Sequence, residues 1–157
     1  EPVFGGVYKL AAVEENGEII PKIKISENII KITNPSFKTL WRLYDNESGK
    51  AIADVLTLYD EVIDDTQPYE IFDPVHTYKR KTVTNFTAKK LQVPIFVNGE
   101  CVYESPSLPK IQAYCKEQLE TLWEEVKRFE NPQTYFVDLS QNLWDLKHNM
   151  LKMKFTH

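Results

Sequence analysis

Cysteine and histidine are scarce in this chain, with two Cys and three His among 157 residues. Cys101 and Cys115 are too few and too widely spaced for a disulfide framework or a zinc site. Neither has a histidine or other base at a readable spacing, which removes thiol nucleophile chemistry from consideration. His76, His148 and His157 show no ligand spacing to one another or to a cysteine, so no metal site is expected. Glycine is equally sparse, and the one adjacent pair, Gly5-Gly6, lacks the surroundings of a GxGxxG or P-loop motif. No apolar run approaches the ~18 residues of a membrane span, and no signal-peptide pattern opens the chain. Neither a membrane nor an export route is therefore expected, and a reducing cytoplasm is the expected compartment. An excess of positive charge is missing too. The formal net charge of −4 argues against nucleic acid as the main partner.

What is present is the composition of a globular protein, 42% hydrophobic and 27% charged. A single domain of this length buries about 70% of its unfolded surface, so it needs no disulfide or metal for stability. The chain has no initiator Met, and Glu1-Pro2-Val3-Phe4 runs directly into an apparent strand. The expectation is a fragment or a processed chain.

Val7 to Glu15 and Glu18 to Ser26 are β-rich runs joined by Asn16-Gly17, a strong hairpin signal. With those two residues as the loop, Tyr8 faces Ile25, Leu10 faces Ile23 and Glu14 faces Ile19. The opposite face pairs Lys9 with Lys24, Ala11 with Lys22 and Val13 with Ile20. Tyr8, Leu10 and Ile23 are expected to be buried, leaving three lysines on the other face, where like charges repel. A second hairpin is predicted between Phe37–Asp45 and Ala51–Tyr59. Further strands are predicted at Tyr69–Asp73 and within Thr77–Thr87, and a third hairpin across Asn98-Gly99 between Val93–Val97 and Glu100–Tyr103. Pro94 marks that last pair as a sheet edge.

The period then changes. Ile111, Cys115, Leu119, Leu122, Val126 and Phe129 recur at spacings of four or three, as on one face of an amphipathic helix. Ser107 is its expected N-cap, Pro109 fits its first turn, and Pro132 stops it. A short extended piece follows at Tyr135–Asp138. Ser140 then caps a final helix with Leu143, Leu146 and Met150 on one side. The expected fold class is α+β: mostly antiparallel β-hairpins followed by two C-terminal amphipathic helices.

Charge is blocked along the chain. From Lys22 to Arg42 the basic residues Lys22, Lys24, Lys31, Lys38 and Arg42 stand against a lone Glu27. Acidic residues prevail from Asp45 to Asp73, and basic ones again from His76 to Gly99. Two readings remain open: the blocks neutralise one another on adjacent strands, or one basic block holds phosphate, with hydroxyls such as Ser26 and Thr33 interleaved. The pairs Asp60-Glu61 and Asp64-Asp65 read as solvated loop residues. Trp41, Trp123 and Trp144 read as core. No catalytic set is visible.

Gly6-Val7-Tyr8-Lys9-Leu10, Lys24-Ile25-Ser26, Lys31-Ile32-Thr33-Asn34-Pro35-Ser36-Phe37-Lys38, Arg42-Leu43, and the segments Phe72–Thr82, Asn98–Leu108 and Tyr135–Lys147 form a series of distinctive phrases. Together they resemble the nicotinate phosphoribosyltransferase family, in its Gram-positive form. The resemblance covers essentially the whole chain, with its phrases in order. Ser36 departs from the glycine usual after that proline, which bears on a tight turn there. The resemblance implies a parent enzyme joining nicotinate to phosphoribosyl pyrophosphate with ATP hydrolysis, using magnesium, feeding NAD synthesis and working as a homodimer. Its phosphorylated histidine and nicotinate pocket would lie upstream of Glu1. Residues 1–44 would then be the end of the barrel region with a basic hairpin, and 45–157 an accessory α+β domain bound to the rest of the same polypeptide. By analogy with the related nicotinamide enzyme, Lys24, Lys31 and Lys38 are the candidate phosphate ligands. No cofactor, metal or catalytic residue is assigned to the 157 residues themselves.

Two rival readings stand beside this one. The run Lys79-Arg80-Lys81 with Tyr78 and Phe86 suits a β-rich module that binds single-stranded nucleic acid. Alternatively the segment is purely structural and touches no ligand.

Overall fold

The computed structural model describes residues 5–154; Glu1–Phe4, expected to lead into the first strand, and His157 lie outside the described residues. The first hairpin turns where expected. Strands β1 (Ala12–Glu15) and β2 (Glu18–Pro21) pair antiparallel, Val13 opposite Ile20 and Glu14 opposite Ile19. Asn16 and Gly17 hold φ values of 54° and 82°, the left-handed pair a type I′ turn requires.

The ribbon is shorter than expected, and the cause is visible. Its last rung is the Lys22 N–H donating to the Ala11 carbonyl at 2.8 Å, an acceptor shared with the Ser36 N–H at 2.7 Å. Beyond it Lys24 pairs with Thr33 instead of Lys9. Its N–H donates to Thr33 Oγ1 (2.9 Å), and its carbonyl accepts the Thr33 N–H (3.4 Å). The expected burial of Tyr8, Leu10 and Ile23 fails accordingly. Tyr8 is 85% exposed and Leu10 50%, while Ile23 is half-buried.

The centre is a four-stranded sheet. Strands β3 (Lys38–Asp45) and β4 (Ala51–Leu58) form the predicted second hairpin, with Lys38 opposite Leu58 and Arg42 opposite Asp54. Strands β5 (Tyr69–Phe72) and β6 (Arg80–Val83) form a separate two-stranded ribbon. Strand β7 (Phe86–Lys90) lies antiparallel on the far side of β3. A small ribbon follows, β8 (Phe96–Val97) with β9 (Glu100–Cys101), turning at Asn98-Gly99 as expected but without Pro94 in the strand. Trp41, Leu43, Ala53, Val55, Ile63, Ile71, Val83 and Phe86 form the buried core. Thr39, Trp41 and Leu43 alternate inward along β3, the period-two signature of a strand with one packed face.

Helix α1 (Leu108–Glu120) starts after Ser107 with Pro109 in its first turn. The expected continuation to Phe129 is interrupted. The chain breaks at Thr121–Trp123 and resumes only as the short α2 (Glu124–Lys127). The start of β4 draws the backbone out of the helix. Ala51 N–H donates to the Thr121 carbonyl (2.9 Å), Lys50 Nζ to the Glu120 carbonyl (2.6 Å), and Trp123 Nε1 to the Ala51 carbonyl (3.1 Å). No α1 residue is buried, and Phe129 is fully exposed.

Strand β10 (Val137–Leu139) then joins the free edge of β4 in parallel, giving the order β10-β4-β3-β7. That parallel addition is absent from the hairpin reading. Helix α3 (Gln141–Lys154) is capped as predicted, Ser140 Oγ accepting the Leu143 N–H at 3.3 Å. Leu143 is fully buried, with Leu146 and Met150 half-buried. The architecture is α+β, with antiparallel hairpins and the helices near the C-terminus.

Ser36, the position singled out in sequence, is buried at φ 71°. A side chain in the left-handed region stores strain that glycine does not. Ser36→Gly is therefore expected to stabilise the chain by about 1 kcal/mol, read by urea denaturation. A destabilised variant would show that the Ser36 side chain contributes more than its backbone costs.

Candidate phosphate-contacting loop

The basic segment from Lys22 to Lys38 leaves the first hairpin, makes one 3-10 turn at Ile29–Lys31 and enters β3. Its hydroxyls shape it. Ser26 Oγ accepts the Asn28 N–H (3.3 Å), and Thr33 ties down Lys24 as described. The three candidate lysines then part company. Lys24 and Lys31 are exposed. Lys38 is half-buried, and its ammonium donates to the carbonyls of Asn34 (3.0 Å), Pro35 (3.2 Å) and Ser36. An ammonium has three donors, so these loop carbonyls take up its capacity. Burial holds the Lys38 pKa below its ordinary value.

A second lysine, missed in the sequence, works on the same turn. Lys147 of α3 donates to Asn34 Oδ1 at 2.8 Å and is likewise depressed by burial. Lys38 and Lys147 thus grip residues 34–36 from the sheet and from the helix, while Lys24 and Lys31 are left on the surface. The spacing that put Leu143, Leu146 and Met150 on one helix face was the available signal, because Lys147 lies four residues after Leu143.

Elsewhere the charge blocks do neutralise one another in part. Arg42 makes a bidentate pair with Asp54 (2.7 and 2.9 Å), and Tyr135 donates to the same carboxylate at 2.9 Å. That pairing raises the arginine pKa, while burial, first, and the adjacent carboxylate raise the tyrosine's. The acidic loop residues are not merely solvated. Glu61 accepts the Leu58 N–H (2.6 Å), Ser140 Oγ (2.7 Å) and Asn142 Nδ2 (2.8 Å), and Asp65 accepts the Ala88 N–H (3.0 Å). Trp41 is core, as read, but Trp123 is 45% exposed and Trp144 half-buried.

The basic stretch around Arg80 is committed locally. Arg80 pairs with Glu70 and lies over the Phe72 ring at 4.5 Å. Phe86 is 2% exposed, so it offers no face for a base. The backbone N–H of His76 first, then that of Val75 and the His76 ring, whose Nδ1 lies 3.0 Å from Oδ2, hold the Asp73 carboxyl at about 2. Cys101 and Cys115 are free and exposed. Among the described residues, no three His, Cys, Asp or Glu side chains gather as a metal-binding group.

The sheet, its helical flank and the loop held by two lysines define a non-repetitive α+β domain, and comparison with known proteins places it. The profile of the nicotinate phosphoribosyltransferase C-terminal domain matches residues 37–147, and the chain belongs to that family. Nicotinate phosphoribosyltransferase of Bacillus subtilis is 42% identical over 147 residues, covering 94% of this chain and 30% of the relative. That of Dictyostelium discoideum is 34% identical over 158 residues, covering 96% and 26%. The crystal structure of the human nicotinic acid phosphoribosyltransferase superposes with a TM-score of 0.68 at 25% identity, covering 76% of this chain and 24% of that one. The chain thus spans under a third of the length of these relatives.

Asp138 supplies a test of the site's surroundings. It is 3% exposed, its Oδ1 lacks a hydrogen-bond partner, and burial together with the Asp73 charge raises its pKa to about 6. The native state then holds a proton that the unfolded chain has released, between the ordinary value of 3.8 and about 6. Stability contributed here falls as pH rises through that window and is level above it. Relative to wild type, Asp138→Asn should gain about 2 kcal/mol between pH 4 and pH 7, measured by denaturant titration at each pH. A difference independent of pH would refute the assignment.

Proposed function

We propose that this chain is the C-terminal part of an enzyme that joins nicotinate to phosphoribosyl pyrophosphate with ATP hydrolysis, yielding nicotinate mononucleotide and pyrophosphate for NAD synthesis. The family membership of residues 37–147 carries this reading. Strand β3 is an inner strand of the sheet, so we infer that the junction with the rest of the polypeptide falls near residue 37 rather than 44. The parent would use magnesium and ATP, act as a homodimer and reside in the cytoplasm. No described helix is long and apolar enough to cross a membrane. Nucleic-acid binding is the weaker reading, because Phe86 is interior and Arg80 is paired.

Within that enzyme Lys24 and Lys31 contact phosphate, and Lys38 builds the loop that presents them. Their exposure, beside a segment with Glu27 as its one acid, supports the division. A phosphate oxygen is the natural counter-charge for such lysines. Losing one charge-assisted hydrogen bond costs about 1.5–3 kcal/mol where water is excluded, and much less where it is not. In the full-length protein, Lys24→Met and Lys31→Met should raise KM for phosphoribosyl pyrophosphate or ATP by about threefold to tenfold with Tm unchanged. Lys38→Met should lower Tm as well. Unchanged KM in all three variants would leave the segment with a structural role only.

The chemistry itself is assigned to the rest of the polypeptide. The 157-residue chain alone, given nicotinate, phosphoribosyl pyrophosphate, ATP and magnesium, should form no nicotinate mononucleotide. Turnover that co-purifies with the chain would overturn that assignment.

A further inference from the structure

A cavity of about 470 Å3 opens between the 29–34 loop, the edge strand β10 and helix α3. Its walls are largely apolar, with Ile32, Leu56, Val75 and Leu139 among them. The exceptions converge from two elements: Asn34 of the loop, and Lys147 and His148 of the helix. His148 is held rigidly. Its Nδ1–H donates to the Trp144 carbonyl at 2.7 Å, and its ring stacks on Trp144 with centroids 3.6 Å apart.

Lys147 is the anomaly. It is half-buried, yet the bond it makes is to the neutral amide oxygen of Asn34, and none of the ion pairs among the described residues includes it. Its pKa is lowered by burial, with no acidic neighbour among the described residues to offset that. An ammonium that has given up water without gaining a counter-ion costs stability, and an anion seated beside it would recover the loss. The cavity lies within the size range of small-ligand sites, which are mostly apolar with a few convergent polar groups.

We propose that this cavity binds a small organic monocarboxylate, its charge on Lys147 and its apolar body against Leu56, Val75 and Leu139. One cation matches one negative charge. A phosphate dianion would bring a second charge into a mostly apolar cleft with no second lysine on its wall. The site does not depend on the phosphate role of Lys24 and Lys31.

The test is calorimetric titration of both the 157-residue chain and the full-length protein with cyclohexanecarboxylate, using cyclohexanecarboxamide as the neutral counterpart. Saturable binding to both proteins is expected, at least tenfold tighter for the acid than for the amide, in keeping with a charge-assisted bond. Lys147→Met should abolish that preference and Lys147→Arg should retain it. Because Lys147 also grips Asn34, Val75→Trp provides a second variant, which fills the cavity from its exposed rim and should block binding with Tm unchanged. Equal affinity for acid and amide, or a preference that survives Lys147→Met, would overturn the proposal. Binding by the short chain but not by the full-length protein would overturn it too, since another part of the polypeptide would then occupy the cleft.

Discussion

Arg42 and Asp54 stand opposite each other in the β3–β4 ladder, and their bidentate contact is where three parts of the chain are joined. Tyr135 donates its phenol to the same carboxylate, which brings the approach to β10 alongside β4. Asp54 N–H donates to the Phe136 carbonyl at 3.1 Å, so side chain and backbone of one residue receive the returning chain together. The Arg42 side chain is 18% exposed and that of Asp54 10%. Removing either partner of so well-buried a pair would strand a charge. With β10 held, Ser140 begins α3, and α3 places Lys147 against the 34–36 turn. The basic loop is thus positioned by a chain of contacts that starts at a single ion pair in the sheet.

Much of the β structure was legible because hairpins are local. Asn16-Gly17 set the register of the first ribbon correctly, and Ala51–Tyr59 folding back on Phe37–Asp45 needed no information from elsewhere. The misreadings share a cause, which is competition from distant backbone. Thr33 takes the hydrogen bonds expected between Lys24 and Lys9. The start of β4 takes carbonyls that would have extended α1 through Thr121. The parallel seat of β10 depends on an edge of β4 that no local pattern near Tyr135 reveals. The apolar stripe from Ile111 to Phe129 is real as a sequence pattern, yet only Leu122 and Val126 of it are half-buried among the described residues, and Ile111, Leu119 and Phe129 stay exposed.

The loop was legible as a basic segment and not as a set of roles. Lys24, Lys31 and Lys38 look alike in sequence, since each is a lysine beside β-branched or hydroxyl residues. Burial separates them, and burial is decided by which carbonyls the turn at Asn34–Ser36 leaves unpaired. A turn with a left-handed serine directs three carbonyls toward one ammonium. Lys147, 113 residues away from Asn34, could be recognised only once α3 had been placed.

The edges of the central sheet carry their own protection against strand addition. On one side β10 is three residues long and ends at Ser140, where the chain turns into a helix. On the other, β7 sets Lys89 and Lys90 along its rim, and the outward N–H of Ala88 is already held by the Asp65 carboxylate. An incoming strand would have to displace that carboxylate and pair with a strand that carries two charged side chains. Each edge thus carries a feature that disfavours the addition of a further strand, and with it the growth of the sheet into a fibril.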